Sequence, residues 1–121
     1  MNKTKVITVT IDASGKPIGR VASQVAHVLQ GKHRADFVKQ KDPTDRVCVT
    51  NIDQAIFTGK KMKDKVYHHH SGHPGGLKTQ SVAQMMDKGG MEAVLLHAVK
   101  RMLPDNRLRT ERMKRIECIK L

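Results

Sequence analysis

His68, His69, His70 and His73 are four of the seven histidines in the chain, and they fall beside its one tyrosine, Tyr67. They lie in Lys65-Val66-Tyr67-His68-His69-His70-Ser71-Gly72-His73-Pro74-Gly75-Gly76-Leu77-Lys78, a run with a lysine at each end. Imidazole nitrogens at this density suggest two chemistries. One is zinc: His68, His70 and His73 could each offer a ligand. The spacing matches no zinc module, however, and His-Glu-x-x-His is absent. A strand would also send His68 and His70 to one face and His69 to the other. No nucleophile is paired with a base and an orienting acid, so no catalytic residue, metal or cofactor is expected. The other chemistry is stacking on bases and hydrogen bonding to RNA hydroxyls and phosphates, which suits Tyr67 and the histidines better. Gly72, Gly75 and Gly76 let the backbone bend tightly and approach another molecule closely. Pro74 fixes one φ and removes a donor.

The charge balance points the same way. Lysine and arginine number 23 against 11 acidic residues, a net charge of +12 with a pI near 10.1. Such self-repulsion calls for a polyanionic partner, and a strongly basic domain is the electrostatic footprint of a nucleic-acid binder. No basic amphipathic helix with bulky aromatic anchors is present, so a membrane surface is not the expected partner. There is neither a bilayer-length apolar run nor a signal-peptide pattern. Cys48 and Cys118 lie in apolar strand-like runs and read as small, buried, reduced hydrophobes. A soluble, cytoplasmic protein is expected. Its 121 residues suggest one domain, 1–121, around one core. With aromatics at 2%, that core must be aliphatic, with methionine as filler.

The elements that position the loop can be read in order. Val6-Ile7-Thr8-Val9-Thr10-Ile11 is a β-branched run that predicts a strand buried on both faces. Asp12 to Pro17 is a turn. Ile18, Val21, Ala22, Val25, Val28 and Leu29 recur at helical spacing, which predicts a helix over residues 18–30 that stops at Gly31. Lys16 and Arg20 flank its N-terminus, where free N–H groups attract phosphate; the ending of a P-loop is missing. Lys32, His33 and Arg34 follow, then Lys39 and Lys41, with phosphate contact favoured over a solvated loop. Arg46-Val47-Cys48-Val49-Thr50-Asn51-Ile52 predicts a second buried strand, completing a right-handed βαβ unit. Asp53 could cap a short helical turn, and residues 54–58 are an apolar piece for the sheet. Gly59 opens a basic connection through Lys60, Lys61 and Lys63 to a third extended segment, residues 65–69. Ser81 can cap a helix that stops at Gly89-Gly90. A second helix, 91–103, carries Met91, Val94, Leu95, Ala98, Val99 and Met102 on one face. Lys100 and Arg101 lie in its last turns, where positive charge suits the dipole. Arg107, Arg109, Arg112, Lys114 and Arg115 are the densest basic stretch. At helical spacing they leave no clean apolar face, so nucleic-acid contact is expected there rather than a solvated helix held by Glu111 pairs. Residues 116–121 predict a last strand.

The histidine-glycine run, with Asp64 before it, closely resembles the loop of ribosomal protein thirteen of the large subunit. Three more pieces of that family agree in order and spacing: Asp12-Ala13-Ser14-Gly15-Lys16-Pro17-Ile18-Gly19-Arg20, Gly31-Lys32-His33-Arg34-Ala35, and Ala98-Val99-Lys100-Arg101-Met102-Leu103-Pro104. The resemblance spans nearly the whole chain. It implies an α/β domain, three-layer α/β/α around a four-stranded mostly parallel sheet. It also implies a non-enzymatic structural protein that binds large-subunit ribosomal RNA, sits beside other ribosomal proteins and acts early in subunit assembly. The RNA contacts it carries over are Lys16, Arg20, Lys32, His33, Arg34, Tyr67, His68, His69, Gly72, His73, Lys78, Lys100 and Arg101. The residues' own chemistry adds Lys60, Lys61, Lys65, Gly75, Gly76, Arg107, Arg109 and Arg112. Relatives usually have an aromatic residue near Lys5-Val6, glycine at Arg101, and Gly-Arg at Arg109-Thr110, so the RNA path over residues 101–110 is expected to differ in detail. The C-terminal tail of many bacterial members is expected to be lacking. The alternatives are a small metal-dependent hydrolase using the histidine cluster, and a non-specific DNA-compacting protein. No small-molecule substrate is expected.

Overall fold

Apolar side chains every three to four residues make Ile18–Gln30 a helix, α1, in which Ile18, Val21, Ala22, Val25, Ala26, Val28 and Leu29 are all buried. It ends where Gly31 takes the left-handed conformation, φ 82°, and its N–H returns to the last carbonyls, the usual glycine stop. The structure, a computed structural model, describes residues 6–41 and 45–119. Lys5 and the expected strand residues 120–121 lie outside them.

Three strands, β1 (Thr8–Asp12), β2 (Arg46–Thr50) and β5 (Ile116–Ile119), form a parallel sheet in the order β1-β2-β5. Register sets Val9 beside Val47 and Val47 beside Ile116, with Ile11, Val49 and Cys118 in the next row. Because side chains alternate along a strand, these six share one face. That face joins one core with α1 and with Met91, Val94, Leu95, Val99 and Leu103. The opposite face carries exposed Thr8, Thr10, Asp12, Arg46, Glu117 and Ile119, with Cys48 and Thr50 buried among them on β2.

Two expectations are corrected here. β1 is an edge strand with only Ile11 buried, not a strand covered on both faces. The sheet is three parallel strands plus a separate antiparallel hairpin, β3 (Val66–His70) with β4 (Leu77–Ser81), not one four-stranded sheet. Composition explains the split. Two histidine-rich and Lys-Thr-Gln-rich strands have too little apolar surface for the interior of a parallel sheet. β2, in the middle, has Val47 and Val49 at 1% and 0% exposure, as its apolar run implies.

A 3-10 turn at Ile52–Gln54 follows β2 and starts from Asn51, not from an Asp53 cap. Ala55 and Phe57 reach the core, while Ile56 bridges to Pro17. The basic connection contains one short helix, α2 (Lys61–Asp64). Then α3 (Val82–Met102) begins at Ser81, whose hydroxyl accepts from the Gln84 N–H while the Gln84 side chain accepts from the Ser81 N–H. This reciprocal cap satisfies two otherwise orphaned donors. α3 breaks at Gly90, φ 69° and ψ −167°, as the double glycine predicted. The segment after the break supplies Met91, Val94, Leu95 and Val99 to the core. Only glycine occupies that region without strain of about 1–3 kcal/mol, and a methyl there would meet no neighbour within 4 Å. Gly90→Ala should therefore destabilise by about 1–3 kcal/mol through the backbone alone, read as a lower urea midpoint with unchanged slope.

The last helix, α4 (Leu108–Met113), has an inner side after all. Leu108, Arg109 and Met113 are half-buried and Arg112 is 2% exposed. The two cysteines are free and sit in strands, Cys48 buried and Cys118 half-buried. Burial, with the Glu92 carboxylate nearby, pushes the Cys118 thiol up to about 11, so it is an inert thiol at neutral pH.

Candidate nucleic-acid interface

The hairpin is built by its own backbone. Tyr67 pairs with Gln80, His68 with Thr79 and His69 with Lys78. Residues 71–76 close it through Ser71 N–H to Gly76 O at 3.3 Å and Gly76 N–H to His73 O at 2.9 Å. The Gly72 N–H donates to His70 Nδ1 at 2.9 Å, and His73 Nδ1 lies 3.0 Å from Pro74 O. So His70 and His73 are turned back on the loop, while His68 and His69 stand exposed on alternate faces of β3. A side chain at Gly76 would collide with Ser71 Oγ and with the His73 carbonyl, at 2.1 and 2.9 Å. That glycine is required by crowding; the loop could not close around a larger residue.

Alternation turns Tyr67, His69, Lys78 and Gln80 toward α3. The Tyr67 ring meets His97 edge to face, centroids 4.5 Å apart, in the geometry that aromatic pairs prefer. The Lys65 ammonium lies 5.4 Å from the Tyr67 ring centroid, within cation–π range. Arg101 Nη2 donates to the His68 carbonyl at 3.2 Å and ties the hairpin to the helix. Between hairpin and helix lies a groove of about 770 Å³. Its hairpin wall includes Tyr67, His69 and Lys78; its helix wall includes Lys88, Lys100 and Arg101. Among the described residues, none of Lys78, Lys88, Lys100 and Arg101 pairs with a carboxylate.

Burial, followed by the charges of Arg101, Lys100 and Lys65, holds His97 below the ordinary histidine range. The ring is thus neutral at pH 7, and its Nε2 is buried with no hydrogen-bond partner among the described residues. Burial raises the Tyr67 hydroxyl, so the phenol is un-ionised too. The groove has an uncharged aromatic floor and a cationic rim.

Of the expected contacts, the structure gathers Tyr67, His68, His69, Lys78, Lys100 and Arg101 in this groove, with Lys65 against Tyr67. Gly72, His73 and Gly75 lie exposed in the adjoining loop, and Lys60 and Lys61 are exposed on the connection leading to it. Lys16, Arg20, Lys32 and Arg107 are exposed elsewhere. His97, Lys88 and Gln84 were missed. His97 stands one helical turn before Arg101, on the same face, and that spacing was the available signal.

Four expected contacts are paired or buried. Arg34 grips Asp45 with two bonds, Nε to Oδ2 at 2.6 Å and Nη2 to Oδ1 at 2.5 Å. His33 Nε2 is 3.0 Å from the same carboxylate, whose side chain is 0% exposed. Arg112 is buried, at 2% exposure. Arg109 is half-buried and pairs with Asp105 at 3.0 Å.

The site is an α/β scaffold that carries a hairpin groove with an aromatic floor and a cationic rim. The ribosomal protein L13 family matches residues 7–120, and the chain belongs to that family. It is 46% identical over 107 residues to large ribosomal subunit protein uL13 of Thermotoga petrophila, covering 88% of this chain and 71% of that one. The same-named protein of Maricaulis maris is 49% identical over 96 residues, 79% of this chain and 62% of the relative. That of Legionella pneumophila is 40% identical over 116 residues, 96% and 80%. The family is one of structural proteins of the large ribosomal subunit, not of enzymes. No described helix is long and apolar enough to cross a membrane.

Proposed function

We propose that this chain holds large-subunit ribosomal RNA through the hairpin groove, its glycine loop and the flanking lysines, and stands beside other ribosomal proteins there. The observation that carries this reading is the cluster of Lys78, Lys88, Lys100 and Arg101 around one groove without carboxylate partners among the described residues. Cations so placed neutralise phosphates and release counterions, so binding is electrostatic and read by shape. Lys60, Lys61 and Lys65 extend the same charge along the approach to the hairpin. His68, His69, Gly72, His73, Gly75 and Gly76 supply exposed rings and closely approachable backbone. Lys16, Arg20, Lys32 and Arg107 provide further contacts. Sedimentation tests this: the protein should travel with large subunits through a gradient at low salt and leave them at high salt. A protein that stays at the top of the gradient at low salt would refute it. Against duplex DNA competitor at physiological salt, ribosomal RNA fragments should win; equal competition would favour the DNA-compacting alternative.

A further inference from the structure

The groove separates its chemistry by depth, and that separation indicates which part of an RNA enters it. The floor is the Tyr67–His97 ring pair, uncharged and half-buried. The rim is cationic and exposed. An A-form duplex presents phosphates outward and hides its base faces, so a duplex alone could engage the rim and would leave the floor empty. Phosphate suits the rim and not the floor, whose uncharged rings offer it no countercharge; Asp87, exposed beside Lys88, also lines the groove. A nucleobase does suit the floor. Its face is uncharged and stacks on aromatic rings, and its edge can meet the Gln84 amide and the Asp87 carboxylate, both of which line the groove. The volume of about 770 Å³ leaves room for one nucleotide between the walls.

We propose that this groove takes a single unpaired nucleotide of folded RNA, base inward against Tyr67 and His97, phosphates outward on Lys78, Lys88, Lys100 and Arg101. This rests on the RNA reading above and narrows it from a charged surface to a pocket for one extruded base. The full chain is titrated with a short RNA duplex and with the same duplex carrying one bulged 2-aminopurine, at fixed salt. The bulged RNA should bind about tenfold tighter, the worth of one base stacked on an aromatic ring, and the 2-aminopurine emission should fall on binding. Tyr67→Leu, which keeps the bulk without the aromatic face, should reduce the preference to about twofold or less. If that variant fails to fold, the wild-type comparison of the two RNAs decides alone. Equal affinities with the usual salt dependence would overturn the extruded-base pocket and leave the RNA reading standing. Absence of salt-dependent binding to either RNA would overturn both.

Discussion

Raising monovalent salt from about 50 to about 200 mM should weaken binding to large-subunit RNA by about 10³- to 10⁴-fold. The figure follows from the geometry. Lys60, Lys61, Lys65, Lys78, Lys88, Lys100 and Arg101 are exposed along the connection, the hairpin and α3. Each phosphate they neutralise adds close to one power of the salt concentration to the dissociation constant. Filter binding across a salt series gives the slope directly. Lys88→Ala and Lys100→Ala should each lower that slope by about one and weaken binding across all sequences alike. Arg112→Met should leave the slope where it is, because Arg112 is buried and contributes packing rather than a phosphate contact. A flat salt response in the wild type, or a slope that falls as far with Arg112→Met as with Lys100→Ala, would refute this assignment of the charges. Arg101 is a poor choice for the same test. It also ties the hairpin to α3 through the His68 carbonyl, so removing it changes position as well as charge.

What could be read from the sequence was local. α1 declared itself by periodicity and by Gly31. The Ser81 cap and the Gly90 break each depend on a few neighbouring residues, and β2 stood out as an uninterrupted apolar run. The failures are of two kinds. β4 has one apolar residue, Leu77, followed by Lys78, Thr79, Gln80 and Ser81. No alternation marks it as a strand. Its existence depends on pairing with β3 and on a loop closed by backbone bonds, which composition does not reveal. The basic residues failed differently. Charge could be counted but not assigned. Whether an arginine meets RNA or a buried carboxylate depends on contacts between residues well separated along the chain. His33, Arg34 and Arg112 carry the same formal promise as Lys100, yet two of them hold Asp45 and the third is the buried residue of α4. The groove's hairpin side was named from the sequence, and of its helix side only Lys100 and Arg101. Its other wall lies on α3, where His97 and Lys88 passed for ordinary helix residues.

Asp45 should prove the costliest charged residue to remove. Asp45→Ala should destabilise the protein by about 3 kcal/mol or somewhat more. The carboxylate is fully buried, and Asp45 sits where the N-terminal ends of the three parallel strands meet. Its Oδ1 accepts from the Ile7 N–H just before β1, at 3.1 Å. Its side chain holds Arg34 from the loop after α1, and its own carbonyl accepts from Arg115, just before β5, at 3.0 Å. Removing the carboxylate takes a two-bond partner from Arg34 and an acceptor from the Ile7 N–H, and breaking a buried pair from one side is what makes such deletions expensive. A surface pair makes the contrast. Asp105 is 87% exposed beside Arg109, so Asp105→Ala should cost less than about 1 kcal/mol. Acidity provides an independent check. The Arg34 bonds hold the Asp45 carboxyl below the ordinary aspartate range, so the folded state binds its proton less readily than the unfolded chain. The stability this confers is complete above the unfolded pKa, near 4, and is lost as pH falls through the folded value. The gap in urea midpoint between wild type and Asp45→Ala should be constant from about pH 5 to 7 and should narrow below about pH 4. A gap of under about 1 kcal/mol, or one that widens in acid, would show that the carboxylate is not what fastens these strand ends.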